Sequence, residues 1–227
     1  MADGGLEALK WIALLLMTGD HIDKYLFNGT KEMLFDAGRI AMPLFTFVLA
    51  YNLARPGALE RGAYTRTMKR LALFGLLATP AFVALGGLMA GWWPLNIMFT
   101  LLVTTVVAYL LDLRTASSYT VAAIVFLVAG SSVEFWWPAL VFGLAVWWYC
   151  KQPSWMSVVL ALVALTALGL INRNLWALGA IPVVLVASRF DFHVPRLRWV
   201  FYVYYPAHLS AIWLIRMPMN KAGHLLF

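Results

Sequence analysis

Cysteine and charged residues are both scarce in this chain of 227 residues. Cys150 is the one cysteine, so an intrachain disulfide is excluded, and no cysteines and histidines recur with the spacing of metal ligands. Charged residues make up 12% of the chain, whereas a soluble domain carries about 25%. The sequence therefore predicts neither a disulfide-stabilised fold nor a metal site, and its composition is not that of a soluble enzyme.

Hydrophobic residues, by contrast, make up 63% of the chain, and the mean hydropathy is +0.81. They are gathered into apolar segments that are too long for strands and apolar on every side, so helices are predicted. We expect an all-α fold, a polytopic integral membrane bundle of about nine (eight to ten) transmembrane helices, because roughly 20 apolar residues span a bilayer. The segments are 8–27, 38–54, 71–90, 94–111, 119–133, 136–150, 155–171, 174–188 and 199–216.

The net charge of +7 would suit a nucleic-acid partner, but the basic residues lie in short loops between apolar segments. That placement is a signal of membrane topology, because cytoplasmic loops are enriched in lysine and arginine. The most basic loop, 55–70, contains Arg55, Arg61, Arg66, Lys69 and Arg70. We interpret it as a cytoplasmic anchor rather than a nucleic-acid or lipid-binding patch. This orientation places the N-terminus in the cytoplasm, with membrane lipid around the bundle and no nucleic acid bound.

The first apolar segment runs into a polar stretch, MTGDHIDKY, at residues 17 to 25. Lys10 and His21 lie about three helical turns apart on one face of that helix, separated by roughly 16 Å along its axis. Adjacent helical residues point about 100° apart, so Asp20 does not face His21. Asp20 can form an ordinary interfacial ion pair with Lys24 one turn away, or it can meet a polar partner on another helix.

Other polar residues are expected at a similar depth or near the middle of the membrane. Arg39 starts the second segment, Asn96 starts the fourth, and Tyr205 and His208 lie within the last one beside Pro206. Each has an ordinary alternative: an arginine that reaches the interface, a helix cap or interhelical hydrogen bond, or a histidine hydrogen-bonded in the core. Burying such groups separately would cost a few kcal/mol each, so we predict that they converge on one hydrated site.

Five stretches, in order along the chain, resemble the TraX family of conjugal transfer membrane proteins: GDHID, AGRIAMPLF, RLALFGLLATP, LNIMF and FYVYYPAHL. The likeness is strongest at the two ends of the chain and weak across residues 112–190. That family is associated with N-terminal acetylation of conjugative pilin. It is also similar to the membrane acyltransferase-3 group, whose first helix has Arg or Lys, ten residues and then His. Lys10 and His21 match that spacing, although the group usually has ten helices.

The resemblance implies a single transmembrane acyltransferase-like domain over residues 1–227, in the bacterial inner membrane. It implies acetyl-CoA, or another acyl-CoA, as the cytoplasmic co-substrate, and an acceptor on the far side. The acceptor stays open between a protein N-terminus such as that of pilin, a sugar hydroxyl of an envelope glycan and a lipid headgroup.

Acyl transfer needs a base for the acceptor, stabilisation of the oxyanion and reactants held together. We expect His21 to be the general base, because the pKa of about 6.5 of a free histidine suits that task near neutral pH. Arg39 or His208 would stabilise negative charge, and Asp20 would orient polar partners, Arg39 first. Direct transfer and an acyl-His21 intermediate are both compatible with these residues.

The remaining expected roles concern the two substrates. Lys10 would hold the phosphates of the donor or line its cytoplasmic route, and Asn96 or Tyr205 would orient the acceptor. Two other functions stay open. A proton-coupled transporter also uses titratable residues inside the membrane, and an assembly scaffold for a conjugation or envelope system would use no chemistry at all.

Overall fold

The computed structural model describes residues 1–190, 193–197 and 199–221. Within these ranges the chain forms ten α-helices and one short 3₁₀ turn, and it has no β-strand beyond two isolated bridges. The all-α fold class is therefore confirmed. The helices are α1 (Asp3–Leu26), α2 (Glu32–Gly38), α3 (Ala41–Ala54), α4 (Ala63–Ala84), α5 (Ile97–Asp112), α6 (Ala116–Gly130), α7 (Trp136–Lys151), α8 (Trp155–Asn172), α9 (Ala180–Arg189) and α10 (Val200–Lys221), and the 3₁₀ turn Trp176–Gly179 precedes α9.

Each predicted apolar segment overlaps one of these helices, and segment 174–188 corresponds to the 3₁₀ turn followed by α9. The ends differ in places: α4 ends at Ala84 rather than at residue 90, and α5 begins at Ile97 rather than at residue 94. The short helix α2 was not predicted. It has seven residues and includes Glu32 and Asp36, so its sequence has no apolar run that would distinguish it from a loop. It matters for the site because it ends at Gly38, directly before Arg39.

Helix α4 begins at Ala63, well before the predicted start at residue 71, so the second half of loop 55–70 is helical. Gly62 precedes it with a φ of +62°, a left-handed conformation that glycine adopts without strain. Lysine and arginine are good helix formers, and the prediction treated their charge as a loop signal. The first two turns of α4 consequently bring Arg66 and Arg70 to the bundle on a rigid element.

Three helical stretches are long and apolar enough, by length and composition alone, to cross a membrane. They are Glu32–Ala54, Ala63–Ala84 and Trp155–Asn172. Helices α6 and α8 also expose many large apolar side chains outward, among them Val128 and Leu170, as expected of surfaces that face lipid. These features agree with a polytopic membrane protein.

Helix α3 packs between α1 and α7, and α10 packs against α1 and α4. The α7 crossing is close because of Gly143: a Cβ at that position would lie 2.6 Å from the Thr104 Cγ2 and 2.9 Å from the Thr46 Cγ2. Small residues allow membrane helices to approach in this way. In this arrangement α1, α3, α4, α5 and α10 surround one internal cavity.

Candidate functional site

The cavity has a volume of about 690 Å³, and its wall changes character along its length. The polar end contains Asp20, His21, Arg39 and Tyr205, and the opposite end is lined by cations. Apolar side chains of α3, α4 and α5 line the part between them. Five of the seven predicted site residues therefore lie on one cavity, and only Asn96 and His208 are not in its lining.

At the polar end, His21 and His208 form a hydrogen-bonded pair that joins α1 to α10. The His21 Nδ1 lies 2.6 Å from the His208 Nε2, and the two rings are nearly parallel with centroids 4.9 Å apart. The His208 Nδ1 lies 2.9 Å from the backbone carbonyl oxygen of Tyr204. His208 is thus held from both sides, behind His21 rather than in the cavity wall.

These contacts fix the tautomers of the neutral pair. A carbonyl oxygen only accepts, so the His208 Nδ1 carries the proton and donates it to Tyr204. The His208 Nε2 is then an acceptor, and the His21 Nδ1 must donate to it. The remaining ring nitrogen of His21, Nε2, keeps its lone pair. Because His21 lines the cavity, this arrangement provides a base in a polar pocket.

Asp20 and Arg39 form an ion pair between α1 and the junction of α2 and α3. The predicted contact of Asp20 with Arg39 is confirmed, whereas Lys24 lies over the ring of Tyr25 instead. Arg39 also donates from its Nε to the carbonyl oxygen of Phe35 at 3.2 Å. Arg39 is therefore fixed by two partners and partly neutralised.

The close approach of α2 to Asp20 depends on Gly38. A Cβ on Gly38 would lie against the Asp20 Cβ and 2.9 Å from its Cγ. Any larger residue would displace α2 or the carboxylate. The glycine thus sets the position of Arg39, its neighbour in sequence.

Asn96 occupies a structural position. Its side chain accepts from the backbone N–H of Met98 at 3.1 Å as the N-cap of α5, and its amide nitrogen lies 3.0 Å from the Gly75 carbonyl oxygen and 3.2 Å from the Thr79 Oγ1. It is 1% exposed and is not part of the cavity wall. The expectation that Asn96 orients the acceptor is corrected accordingly, because its hydrogen-bonding groups serve the α4–α5 contact.

Glu134 is a residue of the cavity that the sequence analysis did not single out. It lies in the turn between α6 and α7, outside both helices, and lines the cavity at the end that contains His21. The turn is pinned to α5: the Glu134 N–H donates to the Leu95 carbonyl oxygen at 3.0 Å, and the Thr100 Oγ1 donates to the Glu134 carbonyl oxygen at 2.9 Å. Burial raises the pKa of Glu134 to about 7.

Two unusual backbone conformations follow directly after Glu134. Phe135 and Trp136 have φ values of +62° and +48°, and such left-handed conformations cost about 1–3 kcal/mol each in residues other than glycine. In the sequence, Glu134 gives only a weak signal, as the single acid in SSVEFWW. The direction of the Glu134 side chain is set by this turn, which the sequence pattern does not reveal.

At the opposite end of the cavity, Lys10 contacts Glu7 and Phe201. The Lys10 Nζ lies 2.6 Å from the Glu7 Oε1 and 4.4 Å from the centre of the Phe201 ring. Five arginines line this end as well, from the α3–α4 loop, α4 and the loop before α10: Arg55, Arg61, Arg66, Arg70 and Arg196. We call these six cations the basic mouth. The interpretation of loop 55–70 as an anchor alone is therefore incomplete.

Among the residues that the structure describes, no group of three histidine, cysteine, aspartate or glutamate side chains could hold a metal ion. The charged groups of the cavity instead form ion pairs, a histidine pair and the basic mouth.

Comparison with known proteins gives one family and one relative. The family model described as TraX protein matches residues 5–216. Protein TraX of Escherichia coli is 34% identical over 126 residues, which cover 56% of this chain and 47% of that protein. The chain thus matches about half the length of this relative. No solved structure matches.

Proposed function

Because this chain belongs to the TraX family, we propose that it is a membrane-embedded acetyltransferase. It moves an acetyl group from cytoplasmic acetyl-CoA to an acceptor at the outer side of the bacterial inner membrane, with the N-terminal amine of a pilin as the acceptor. The observation that supports this most is the single cavity that joins the basic mouth to the histidine pair. An acyl-CoA has a matching layout, with phosphates at one end and a thioester at the other end of a long arm.

The basic mouth suits the nucleotide end of the donor. Its cations are arginines and one lysine, and arginine binds phosphate through paired, charge-assisted hydrogen bonds. Lys10 lies about three helical turns, or roughly 16 Å, from His21 along α1. The apolar part of the cavity between them accommodates the extended arm and limits water, which protects a thioester from hydrolysis.

The histidine pair suits the reacting end. His21 acts as the general base through its Nε2, and His208 is the positioning residue that keeps the proton on the His21 Nδ1. Arg39 stabilises negative charge on the oxyanion, with Asp20 holding the guanidinium in place. Tyr205 lines the same end and orients the acceptor. An acyl-His21 intermediate would use the same nitrogen.

The test is acetyl-CoA binding and slow release of free CoA by the full chain purified in detergent. We expect the wild type to bind and release CoA, His21→Ala to bind without turnover, and Lys10→Gln to bind weakly. His193→Ala is the matched control, because His193 is an exposed histidine of the α9–α10 loop. Turnover by His21→Ala at the wild-type rate would contradict the proposed base.

The main competing function is a proton-coupled transporter, which a pair of hydrogen-bonded histidines beside a cavity would also serve. It predicts no specific binding of acetyl-CoA. If the wild type fails to bind the donor at all, the acetyltransferase proposal is overturned and transport becomes the function to test.

A further inference from the structure

An amine acceptor places a demand on the site that an alcohol does not. At pH 7 most of an N-terminal amine, with a pKa of about 7.7–8.0, is an ammonium ion. One proton must leave before the nitrogen has a lone pair for attack, and a second must leave after the C–N bond forms. The His21 Nε2 has one lone pair, so it serves one of these two transfers in each cycle.

The cavity contains a second carboxylate besides Asp20. Asp20 and Glu134 are the two acids among the described residues of its wall. Asp20 is paired with Arg39, whereas no ion pair within the described ranges involves Glu134. Glu134 is therefore the carboxylate that is available to a cationic ligand at the same end of the cavity as His21.

The surroundings of Glu134 are mixed in charge. The charged groups that act on it are on α1 and at the α2–α3 junction: Lys24, Arg39 and Asp20. Its carboxylate also accepts a hydrogen bond from the Ile97 backbone N–H at the start of α5, which leaves further oxygen lone pairs for a ligand. Glu134 in turn interacts electrostatically with Tyr25 of α1 and with Tyr205 of α10. Lys24 and Arg39 favour the ionised carboxylate, and Asp20 opposes it. With a pKa of about 7, a substantial fraction of Glu134 is ionised at neutral pH and can attract an ammonium ion.

We propose that Glu134 binds the ammonium group of the acceptor and takes its first proton, which makes amines the acceptors of this site. The inference rests on the proposed acetyltransferase function. It is independent of whether the acetyl group moves directly or through His21, since the count of protons is the same in both routes.

In the direct route, two protons leave the acceptor nitrogen, one before and one after the C–N bond forms. The carboxylate of Glu134 takes one proton from the ammonium and becomes a carboxylic acid. The free amine attacks the thioester carbonyl carbon, and a C–N bond forms. The His21 Nε2 takes the second proton from that nitrogen, the C–S bond breaks, and His21 returns the proton to the leaving sulfur as free CoA. Glu134 then releases its proton to water.

Two structural features support this role. The turn that carries Glu134 is pinned to α5 by backbone hydrogen bonds and is followed by two left-handed residues, so the carboxylate is held in place. Its raised pKa of about 7 lies close to that of an amino terminus, which lets the proton pass in either direction at little cost.

The competing role of Glu134 is purely structural, because a carboxylate near the N-terminus of α5 also interacts favourably with the helix dipole.

The experiment measures two reactions of full-length Glu134→Gln in detergent, each with acetyl-CoA as donor. The first is CoA release without an acceptor. The second is acetyl transfer to a short synthetic peptide with a free N-terminal amine, beside the same peptide carrying a hydroxyl in place of that amine. Glu32→Gln is the matched control, since Glu32 is also a carboxylate at a helix N-terminus but lies outside the cavity.

We expect Glu134→Gln to lower transfer to the amine peptide by about 100-fold or more at pH 7, the usual contribution of one acid–base group. CoA release without an acceptor should fall much less than transfer to the amine peptide, because no ammonium ion has to be deprotonated in that reaction, and Glu32→Gln should behave as wild type in both reactions. Raising the pH toward 9 should restore much of the lost transfer, because the amine then arrives already deprotonated.

Three results would overturn the proposal: unchanged transfer to the amine peptide in Glu134→Gln, an equal loss of CoA release, or preferential transfer by the wild type to the hydroxyl peptide. The first two leave the proposed function unchanged, and the third leaves acetyl transfer from acetyl-CoA standing but excludes an amine as the preferred acceptor. A wild type that does not bind acetyl-CoA overturns both proposals together, so the two failures are distinguishable.

Discussion

At the scale of single residues, the hydrogen bond between His21 and His208 is the feature with the clearest chemical consequence. His208 accepts at its Nε2 from the His21 Nδ1, so we predict that His208→Leu slows CoA release by at least roughly 100-fold. In a comparable histidine system the wrong tautomer costs about 10⁴-fold. The measurement is kcat and KM for acetyl-CoA, and the expected loss is in kcat, because His208 is not in the cavity wall.

His208→Gln is the matched variant for that prediction. Its side-chain carbonyl can accept from the His21 Nδ1 as the imidazole does, so we expect it to recover at least about tenfold of the loss. Equal rates for the leucine and glutamine variants would mean that His208 only fills space.

The residues of the site differ in how far the sequence could predict them. Lys10 and His21 share a face because helical periodicity alone places them so. The partner of Asp20 was predicted as Arg39 because both were expected at one depth. The contact of His21 with His208 was not predicted, since the sequence does not say how α1 and α10 are rotated against each other. Glu134 was missed for a similar reason: its direction depends on the left-handed turn that follows it.

At the scale of helices, the junction between α1 and α2 depends on Gly38. We predict that Gly38→Ala forces α2 away from Asp20, because a Cβ there has no room beside that side chain. Overpacking of this kind costs about 1–3 kcal/mol, and it would also separate Asp20 from Arg39. The expected result is a lower free energy of unfolding in detergent together with slower acetyl transfer.

Gly19→Ala serves as the control for that prediction. Gly19 lies on α1, beside Asp20 in sequence, and also faces α2, but the nearest atom to its added Cβ is the flexible Leu34 Cδ2 at 3.3 Å. This variant should stay close to wild type in stability and activity. If Gly38→Ala behaved like Gly19→Ala, α2 would not be needed to position Arg39.

Helix existence was predictable here and helix ends were less so. Apolar runs specify helices because a backbone with unpaired polar groups cannot be buried in lipid, and every predicted run overlaps a helix. The start of α4 was placed too late, because Arg66 and Arg70 belong to a helix that extends past the apolar region. Because α4 extends this far, Arg66 and Arg70 of the predicted anchor loop line the basic mouth of the cavity.

At the scale of the whole molecule, the distribution of charge gives the cavity a direction. The basic mouth occupies one end, and His21, Arg39 and Glu134 occupy the other. If the mouth binds the phosphates of the donor, removing one cation should weaken donor binding without slowing the chemistry. We predict that Arg66→Gln raises KM for acetyl-CoA by about 10-fold, since a charge-assisted hydrogen bond contributes about 1.5–3 kcal/mol, while kcat stays near the wild-type value.

Arg114→Gln is the matched control, because Arg114 is an exposed arginine beyond the C-terminus of α5 and lies outside this cavity. Acetyl-pantetheine, which lacks the nucleotide phosphates, provides a second control, and its KM should be the same for Arg66→Gln and wild type. Equal effects of the two arginine variants would show that net charge rather than the mouth attracts the donor.

We predict that the basic mouth lies on the cytoplasmic side, because cytoplasmic loops are enriched in lysine and arginine and because the proposed donor, acetyl-CoA, is too highly charged to cross lipid. Sealed vesicles of opposite orientation test this placement: externally added acetyl-CoA should support acetyl transfer in inside-out vesicles and not in right-side-out ones, until a detergent opens the latter. Activity in intact right-side-out vesicles would place the basic mouth on the outer face and reverse the direction of transfer.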